Sequence, residues 1–358
     1  MHDLRAQFPV LERVAYLNAG TNGPVPRRAI EAAEASLRRQ LEAGRSSKDF
    51  FEEMTGRGDE LRGRAAGLLG AQQAEVALTG STTDGVNAAL NALDLEPGDE
   101  LLTSDEEHPG VLAPLAAARA RGMRVRQAPF ADLADAVGPD TRVVVCSHVS
   151  WITGKVVDAA ALAASGALVL LDGAQGLGAV PVDVKALGCD FYAASGQKWL
   201  CGPNGIGYLY ARADRIEGLR APWPGWQVLE DPHDPLDSPL HPDARRLGTS
   251  FPAHHQVEWA HAALDVLEEP GIERVQALAI ELAAGLVERL EGRGVEVAPR
   301  GRSTLVSFVV DDQAAALERV QAAGLVVRDL PGTSYLRASV GGWTTDEELA
   351  RLTETVTA

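Results

Sequence analysis

The apolar and polar positions of this chain follow two spacings that alternate along most of its length. Apolar residues recur every three or four positions in long segments, which is the spacing of one face of a helix. These segments are residues 27–43, 52–69, 86–93, 111–121, 256–267, 272–291, 313–323 and 345–355. Short apolar runs separate them, and such runs are typical of buried strands. The runs are residues 75–79, 101–104, 124–127, 142–150, 167–171 and 190–194, and later 295–298, 304–310, 326–329 and 335–339.

Strands that alternate with helices between residues 75 and 210 predict an α/β fold. This alternation is typical of a parallel sheet that is covered by helices, with right-handed crossovers. Residues 1–16 are predicted to form a short helix, and the late strands and helices predict a smaller α+β layer. We therefore expect three units: a helical segment at 1–16 that packs with the small domain, a large domain at 17–250 and a small C-terminal domain at 251–358.

Composition and charge are those of an ordinary globular protein and argue against two classes of partner. The chain has 358 residues, of which 46% are hydrophobic and 23% are charged. Its net charge of −17 argues against nucleic acid or an anionic membrane as a partner. The cysteines Cys146, Cys189 and Cys201 share no metal-ligand spacing and fit a reducing compartment. We expect a cytoplasmic protein without a metal site.

The candidate chemistry is concentrated between residues 169 and 207. One apolar run ends at Asp172, and the next leads into Ser195-Gly196-Gln197-Lys198. Both would lie at the carboxyl ends of strands, where ligands bind in open α/β sheets. A lysine removed from water has a lowered pKa, and its amine can form a Schiff base with a carbonyl group. An aspartate that faces a pyridine nitrogen keeps that nitrogen protonated and makes the ring an electron sink.

Three motifs together resemble the class V aminotransferase family of pyridoxal-phosphate enzymes. They are Asp172-Gly173-Ala174-Gln175, Ser195-Gly196-Gln197-Lys198 and Gly202-Pro203-Asn204-Gly205-Ile206-Gly207. The resemblance implies pyridoxal 5'-phosphate (PLP) as the cofactor, with Lys198 forming the Schiff base, Asp172 at the pyridine nitrogen and Gln175 at the ring hydroxyl. It implies a large domain with a mainly parallel, seven-stranded type of sheet and a smaller α+β domain. It also implies a homodimer with shared active sites.

The resemblance implies further cofactor-binding residues on both sides of the lysine. It assigns Ser81 and Thr82, which follow a strand and precede a helix, to the cofactor phosphate. It adds Thr249 as a phosphate contact that reaches the neighbouring subunit. His108 is placed on the pyridoxal ring, where it is also a candidate proton shuttle. Ser195 and Gln197 complete the cofactor-binding residues.

The substrate-binding residues that the resemblance implies come from separate parts of the chain. Asn18 and Thr21 belong to an N-terminal loop that lies across the mouth of the site. Trp151 is a candidate wall of the substrate pocket. Arg337 is implied to bind the α-carboxylate of an amino-acid substrate, a role that suits the planar fork of its guanidinium group.

The reaction stays open between alternatives that share a first step. Elimination of a β-substituent, transamination and epimerisation all begin when Lys198 takes the α-proton, and they differ in where a proton is returned. Cysteine desulfurases of this family use a nucleophilic cysteine late in the chain, and this chain has no cysteine after Cys201. We therefore expect β-elimination of the C–S lyase type. An aminotransferase, an epimerase of the isopenicillin N type and a catalytically silent PLP-binding protein are the alternatives.

Overall fold

The structure is a computed structural model that describes residues 2–248 and 251–358, with side chains described from Leu4 onward. Its α-helices are α1 His2–Ala6, α2 Arg27–Ala43, α3 Lys48–Leu69, α4 Thr82–Ala92, α5 Pro109–Ala120, α6 Ala159–Ala164, α7 Val184–Leu187, α8 Ala213–Ile216, α9 His254–Glu268, α10 Ile272–Glu291, α11 Gln313–Ala322 and α12 Asp346–Thr357. Its strands are β1 Ala15–Tyr16, β2 Val76–Thr79, β3 Glu100–Ser104, β4 Arg124–Ala128, β5 Thr141–Ser147, β6 Leu168–Asp172, β7 Phe191–Ser195, β8 Gly207–Ala211, β9 Leu305–Val309, β10 Leu325–Val326, β11 Arg328–Asp329 and β12 Tyr335–Ser339.

The central sheet has seven strands in the order β2-β8-β7-β6-β5-β3-β4. Strands β3 to β7 run parallel, and β8 runs antiparallel to both of its neighbours. This confirms the prediction of a mainly parallel α/β sheet. The carboxyl ends of β3, β5, β6 and β7 therefore meet at one edge, which is where the candidate chemistry was expected.

The interior of this sheet is apolar on both faces. Every residue of β6 and β7 is buried. Because successive side chains of a strand point to opposite faces, Leu170 and Leu171 belong to two different apolar clusters. Burial on both faces explains why these strands read as continuous apolar runs in the sequence.

The C-terminal part of the chain forms a smaller α+β layer. Strands β11, β12 and β9 make an antiparallel sheet, and α10, α11 and α12 cover it around a third apolar cluster. The N-terminal strand β1 pairs in parallel with β10. Arg5 adds an ion pair to Glu348 at 2.6 Å, and the rings of Phe8 and Trp343 lie 5.2 Å apart. The start of the chain is thus attached to the small layer.

Three predicted elements differ from the structure. Residues 1–16 do not form one helix, because α1 ends at Ala6 and β1 forms where the chain meets β10. Residues 295–298 form only a single bridge, from Val297 to Phe308, and residues 326–329 divide into two strands of two different sheets. The predicted boundary between the large and small domains after residue 250 stays a prediction. The helix that follows this boundary, α9, packs against α2 and α3, which belong to the predicted large domain.

Candidate active site

The turn that carries Lys198 connects β7 to β8 and is closed by backbone hydrogen bonds. The amide of Gly196 donates to the carbonyl of Ile206 at 2.9 Å, and the amide of Gly202 donates to the carbonyl of Gly196 at 2.9 Å. Cys201 takes a left-handed conformation with φ of 55°, which is rare outside glycine. The turn therefore fixes the backbone of Lys198 at the carboxyl edge of the sheet.

Lys198 and Asp172 lie close enough for their charges to interact. Burial lowers the pKa of Lys198 to about 8, with Asp172 opposing the change and Arg337 adding to it. Burial likewise raises the pKa of Asp172, while Lys198 and the amide of Ala174 oppose the change. The Ala174 amide donates to Asp172 at 2.8 Å. An amine with a pKa near 8 is neutral often enough to react with a carbonyl group at physiological pH.

Gln175 joins the Asp172 turn to the N-terminal loop. Its amide nitrogen donates to the carbonyl of Gly20 at 2.8 Å, and its amide oxygen accepts from the indole of Trp199 at 3.0 Å. The predicted contact of Gln175 with a ring hydroxyl stays a prediction. Both of its polar atoms already have a partner in the protein, so the side chain is held in one orientation.

The start of α4 offers a site for an anion. Ser81 caps the helix, and its hydroxyl accepts from the amide of Asp84 at 3.1 Å. The amide of Thr82 donates to the hydroxyl of Ser195 at 3.0 Å, and the two hydroxyl groups also share a hydrogen bond. Amides and hydroxyls that converge at a helix N-terminus favour a phosphate group.

His108 caps α5 at the end of the segment that follows β3. Its Nδ1 accepts from the amide of Gly110 at 3.0 Å, which places the proton of the neutral ring on Nε2. Burial, together with the positive charges of Lys198, Arg328 and Arg337, lowers the pKa of His108 to about 4. The histidine is therefore neutral at physiological pH.

Two arginines from the small layer face each other beside Trp151. Arg328 of β11 and Arg337 of β12 are direct cross-strand partners. Arg337 is fully buried and donates through one nitrogen to the carbonyl of Trp151 at 2.7 Å. Its Nε and its other terminal nitrogen have no partner among the described residues. The guanidinium of Arg328 lies 5.6 Å from the centroid of the Trp151 ring, which itself stands edge-on to His108 at 5.0 Å.

Glycines allow the N-terminal loop to approach these groups. A Cβ at Gly20 would lie 2.7 Å from the Ser339 hydroxyl and 2.9 Å from a nitrogen of Arg337. A Cβ at Gly23 would lie 2.1 Å from the carbonyl oxygen of Lys198. Side chains at either position would push the loop away from the lysine and the arginine.

One cavity of about 350 Å³ brings most of the predicted site residues together. Those that line it are Thr21, Ser81, Thr82, His108, Trp151, Asp172, Gln175, Ser195, Gln197, Lys198 and Arg337. Asn18 does not line it but accepts a hydrogen bond from Thr21 at 2.8 Å. Thr249 lies outside the described residues. The roles of these residues stay predictions. A single cofactor and substrate site requires that they line one cavity, and those named above as lining residues do.

Four lining residues with polar side chains were not among the predicted site residues: Asn22, Thr83, Asn204 and Arg328. Asn22 and Thr83 adjoin residues that were predicted, so the motifs carried a signal for them. Arg328 carried none, because its place opposite Arg337 depends on strand register. Among the described residues, no helix is long and apolar enough to cross a membrane, and no three His, Cys, Asp or Glu side chains converge as metal ligands would.

The lining residues fit PLP by their chemistry. The start of α4 suits the phosphate, Lys198 suits the aldehyde and Asp172 suits the pyridine nitrogen. Gln197 adds a buried amide oxygen that has no partner among the described residues.

Comparisons with known proteins agree with this fit. Residues 15–352 match the Aminotransferase class-V family. The chain is 31% identical to an isopenicillin N epimerase of Amycolatopsis lactamdurans, over 98% of this chain and 96% of that one. It is 28% identical to a probable cysteine desulfurase of Methanothermobacter thermautotrophicus, over 99% and 96% of the two chains.

Among solved structures, the fold is similar to a C-DES mutant that has glycine covalently linked to the PLP cofactor. The TM-score is 0.93 at 28% identity, over 99% of this chain and 98% of that one. A complex between the cystine C-S lyase C-DES and its reaction product cysteine persulfide gives a TM-score of 0.92, again at 28% identity, over 98% and 99% of the two chains. The chain therefore belongs to the class V aminotransferase family and is a PLP-dependent enzyme.

Proposed function

We propose that this enzyme eliminates a sulfur-bearing β-substituent from a cysteine derivative, as a C–S lyase, without passing sulfur to a cysteine of its own. The observation that carries the proposal is a buried lysine that faces two arginines in a site with no reactive thiol. Burial raises the pKa values of Cys146, Cys189 and Cys201. A thiol that stays neutral is a poor nucleophile. The substrate's sulfur would therefore depart with the leaving group.

Lys198 and Asp172 have separate tasks in this reaction. Lys198 takes the proton from the α-carbon, for which a base with a pKa near the working pH is best suited. Asp172 holds the proton at the pyridine nitrogen. PLP, when bound, supplies the electron sink that makes the α-proton acidic. Departure of the β-substituent then needs no second base on the opposite face of the substrate.

The state of His108 supports elimination over epimerisation. An epimerase must return a proton to the α-carbon from the other face, and His108 was the candidate for that step. Its Nδ1 lone pair is occupied by the Gly110 amide, and its low pKa leaves little of the protonated form at neutral pH. Epimerisation is nevertheless the second candidate, because the chain resembles an isopenicillin N epimerase along nearly its whole length.

Arg337 is proposed to bind the α-carboxylate of the substrate. Two nitrogens of the buried guanidinium group have no partner among the described residues, which is costly unless a ligand binds them. Burial, together with the charge of Arg328, lowers the pKa of Arg337 to about 9, so the group is still charged at neutral pH. A carboxylate from the substrate would pair with the two free nitrogens.

Arg328 favours a substrate with a second carboxylate. Like charges directly opposite each other in a sheet are destabilising, and Arg328 stands directly opposite Arg337. Its guanidinium also lies within 3.3 Å of the Thr21 hydroxyl at the cavity wall. Two bound carboxylates would balance the two cations. Cystine meets this requirement, and its elimination with water yields pyruvate, ammonia and cysteine persulfide.

The test is turnover of cystine by the PLP-loaded enzyme without a keto-acid acceptor. Pyruvate and persulfide should accumulate over many turnovers, whereas the Lys198→Ala variant should release neither. S-methylcysteine, which has one carboxylate, should be a weaker substrate. Keto acid released only once per enzyme would identify an aminotransferase, and D-isomer without pyruvate would identify an epimerase; either result would replace the proposal.

We further propose that the enzyme is a homodimer with shared active sites. Phe51, Trp226 and Phe251 form an exposed aromatic cluster, in which Trp226 and Phe251 stack at 5.1 Å. Exposed apolar patches mark interaction sites. Phe251 follows, two positions later in the sequence, residue 249, which the resemblance assigned to the phosphate of a partner subunit. Sedimentation of the wild type and of Trp226→Ser tests this, since the variant should dissociate more readily.

The three unpaired thiols fit the expected cytoplasmic location.

A further inference from the structure

Glu106 binds the loop that carries Trp151. We define this Trp151 loop as residues 150–155, which follow β5. The hydroxyl groups of Ser150 and Thr153 both donate to one oxygen of Glu106, and the ammonium group of Lys155 lies 2.8 Å from the other oxygen. The side chain of Glu106 is only 12% exposed. Three donors from one short loop therefore converge on a single, largely buried carboxylate.

The two hydroxyl groups also hold the backbone of the loop. Ser150 Oγ accepts from the amides of Ile152 and Thr153 at 3.2 and 3.1 Å. Thr153 Oγ1 accepts from the amide of Lys155 at 3.2 Å. Each hydroxyl thus accepts from the loop and donates to Glu106. Removal of the carboxylate charge would loosen the backbone and not only the side chains.

The opposite side of the Trp151 loop holds Arg337. The carbonyl of Trp151 accepts the only hydrogen bond that the guanidinium group makes to a described residue. The next carbonyl, that of Ile152, accepts from the hydroxyl of Ser307 on β9. The loop therefore lies between the turn that follows β3, which carries Glu106, and the small sheet, which carries Arg337.

From this series of contacts we propose that Glu106 is a positioning residue for carboxylate recognition. By fixing the Trp151 loop, it sets where the guanidinium group of Arg337 stands relative to the cofactor. Glu106 precedes His108 by two residues, so one short segment positions both the histidine at the cofactor side and the arginine at the substrate side. The inference rests on the proposed role of Arg337 as carboxylate anchor, but not on which reaction follows.

The test uses Glu106→Gln and the binding of glycine to the PLP-loaded enzyme. Glycine has the α-carboxylate but no β-substituent, so its affinity reports the anchor without the elimination step. Calorimetry should give a dissociation constant about tenfold higher in the variant, while the affinity for PLP changes by less than about twofold. Glu100→Gln is the matched control. Glu100 is also a buried carboxylate of the β3 segment, bound by Arg126 and Thr141, but it lies at the far end of the strand.

A double-mutant cycle separates positioning from a general loosening of the fold. If Glu106 acts through Arg337, Glu106→Gln should cause no further loss of glycine affinity in an Arg337→Ala background. An equal loss in both backgrounds, or a parallel loss of PLP affinity, would overturn the inference. Should Glu106→Gln fail to fold, Thr153→Val removes one donor and should give a smaller effect with the same non-additivity.

The outcomes also distinguish this inference from the proposed reaction. An Arg337→Ala variant that binds glycine as the wild type does would remove the anchor role of Arg337 and the inference with it. In another outcome, the wild type releases no pyruvate from cystine while the double-mutant cycle is still non-additive. That result would refute the proposed reaction and leave the role of Glu106 in place.

Discussion

Replacing Glu107 by glutamine should stabilise the protein at pH 8 but hardly at pH 5. Glu107 is buried between the ends of β3 and β5, where the hydroxyl groups of Ser104 and Ser147 bind its carboxyl group. Burial raises the pKa of Glu107 from 4.5 to about 7; the two serines oppose this change, and the nearby charge of Asp172 adds to it. The thiol of Cys146, which burial keeps neutral, also faces this carboxyl group.

The sign of the effect follows from where the proton binds more tightly. Because the pKa of Glu107 is higher in the folded protein, its contribution to stability is full below pH 4.5 and is lost as the pH rises to about 7. Each unit of pKa difference is worth ~1.4 kcal/mol, so the free energy of unfolding loses about 3 kcal/mol over this range. Glutamine stays neutral in both states, keeps an acceptor oxygen and can donate to Ser147, so this loss disappears.

The assay is urea unfolding of the wild type and Glu107→Gln, both freed of PLP, between pH 5 and pH 8. Titration of all other groups is common to the two proteins and cancels in the difference between them. The difference in the free energy of unfolding between Glu107→Gln and the wild type should change by about 3 kcal/mol in favour of the variant as the pH rises. A difference that stays constant with pH would refute the reasoning, because it would mean that the serines hold Glu107 ionised throughout.

Arg328→Gln is expected to raise the KM for cystine about tenfold and to leave the KM for S-methylcysteine unchanged, because only cystine brings a second carboxylate; an equal effect on both substrates in steady-state kinetics would contradict this. Gly20→Ala should weaken glycine binding measured by calorimetry, because the new Cβ would meet Ser339 and Arg337. An unchanged affinity would show that the N-terminal loop can shift to accommodate the added methyl group. PLP uptake by the cofactor-free protein should accelerate about tenfold per pH unit and level off near pH 8, because only the neutral amine of Lys198 reacts. A rate of absorbance change that is flat over about two pH units below pH 8 would show that Lys198 is already neutral there.

The parts of the site that could be predicted from the sequence are those in which chemistry and strand ends are adjacent along the chain. Asp172 directly follows a run that is buried on both faces, and Lys198 lies three residues beyond the end of β7. Two-sided burial leaves a strong apolar signal, and parallel strands bring their carboxyl ends to one edge. The sheet and the lysine turn could therefore be predicted from local sequence.

The parts that could not be predicted depend on contacts between distant segments. Arg328 enters the site because it pairs with Arg337 across two antiparallel strands, and register cannot be read from residues 326–329 alone. In the sequence, Glu106 is only one of three consecutive acidic residues. The structure shows that three donors of the Trp151 loop converge on its carboxylate. Residues 15 and 16 form a strand only because β10 offers an edge to pair with.

The close approach of the N-terminal loop restricts how the substrate range of this enzyme can diverge. At Gly20 and Gly23 any side chain would collide with Arg337, the proposed carboxylate anchor, or with the lysine turn. If these roles hold, every amino-acid substrate would use both. Variation at these glycines would therefore reduce activity towards all substrates alike. New specificities, in natural evolution or in a mutant library, should instead arise at Thr21, Asn22 and Arg328, whose side chains line the cavity.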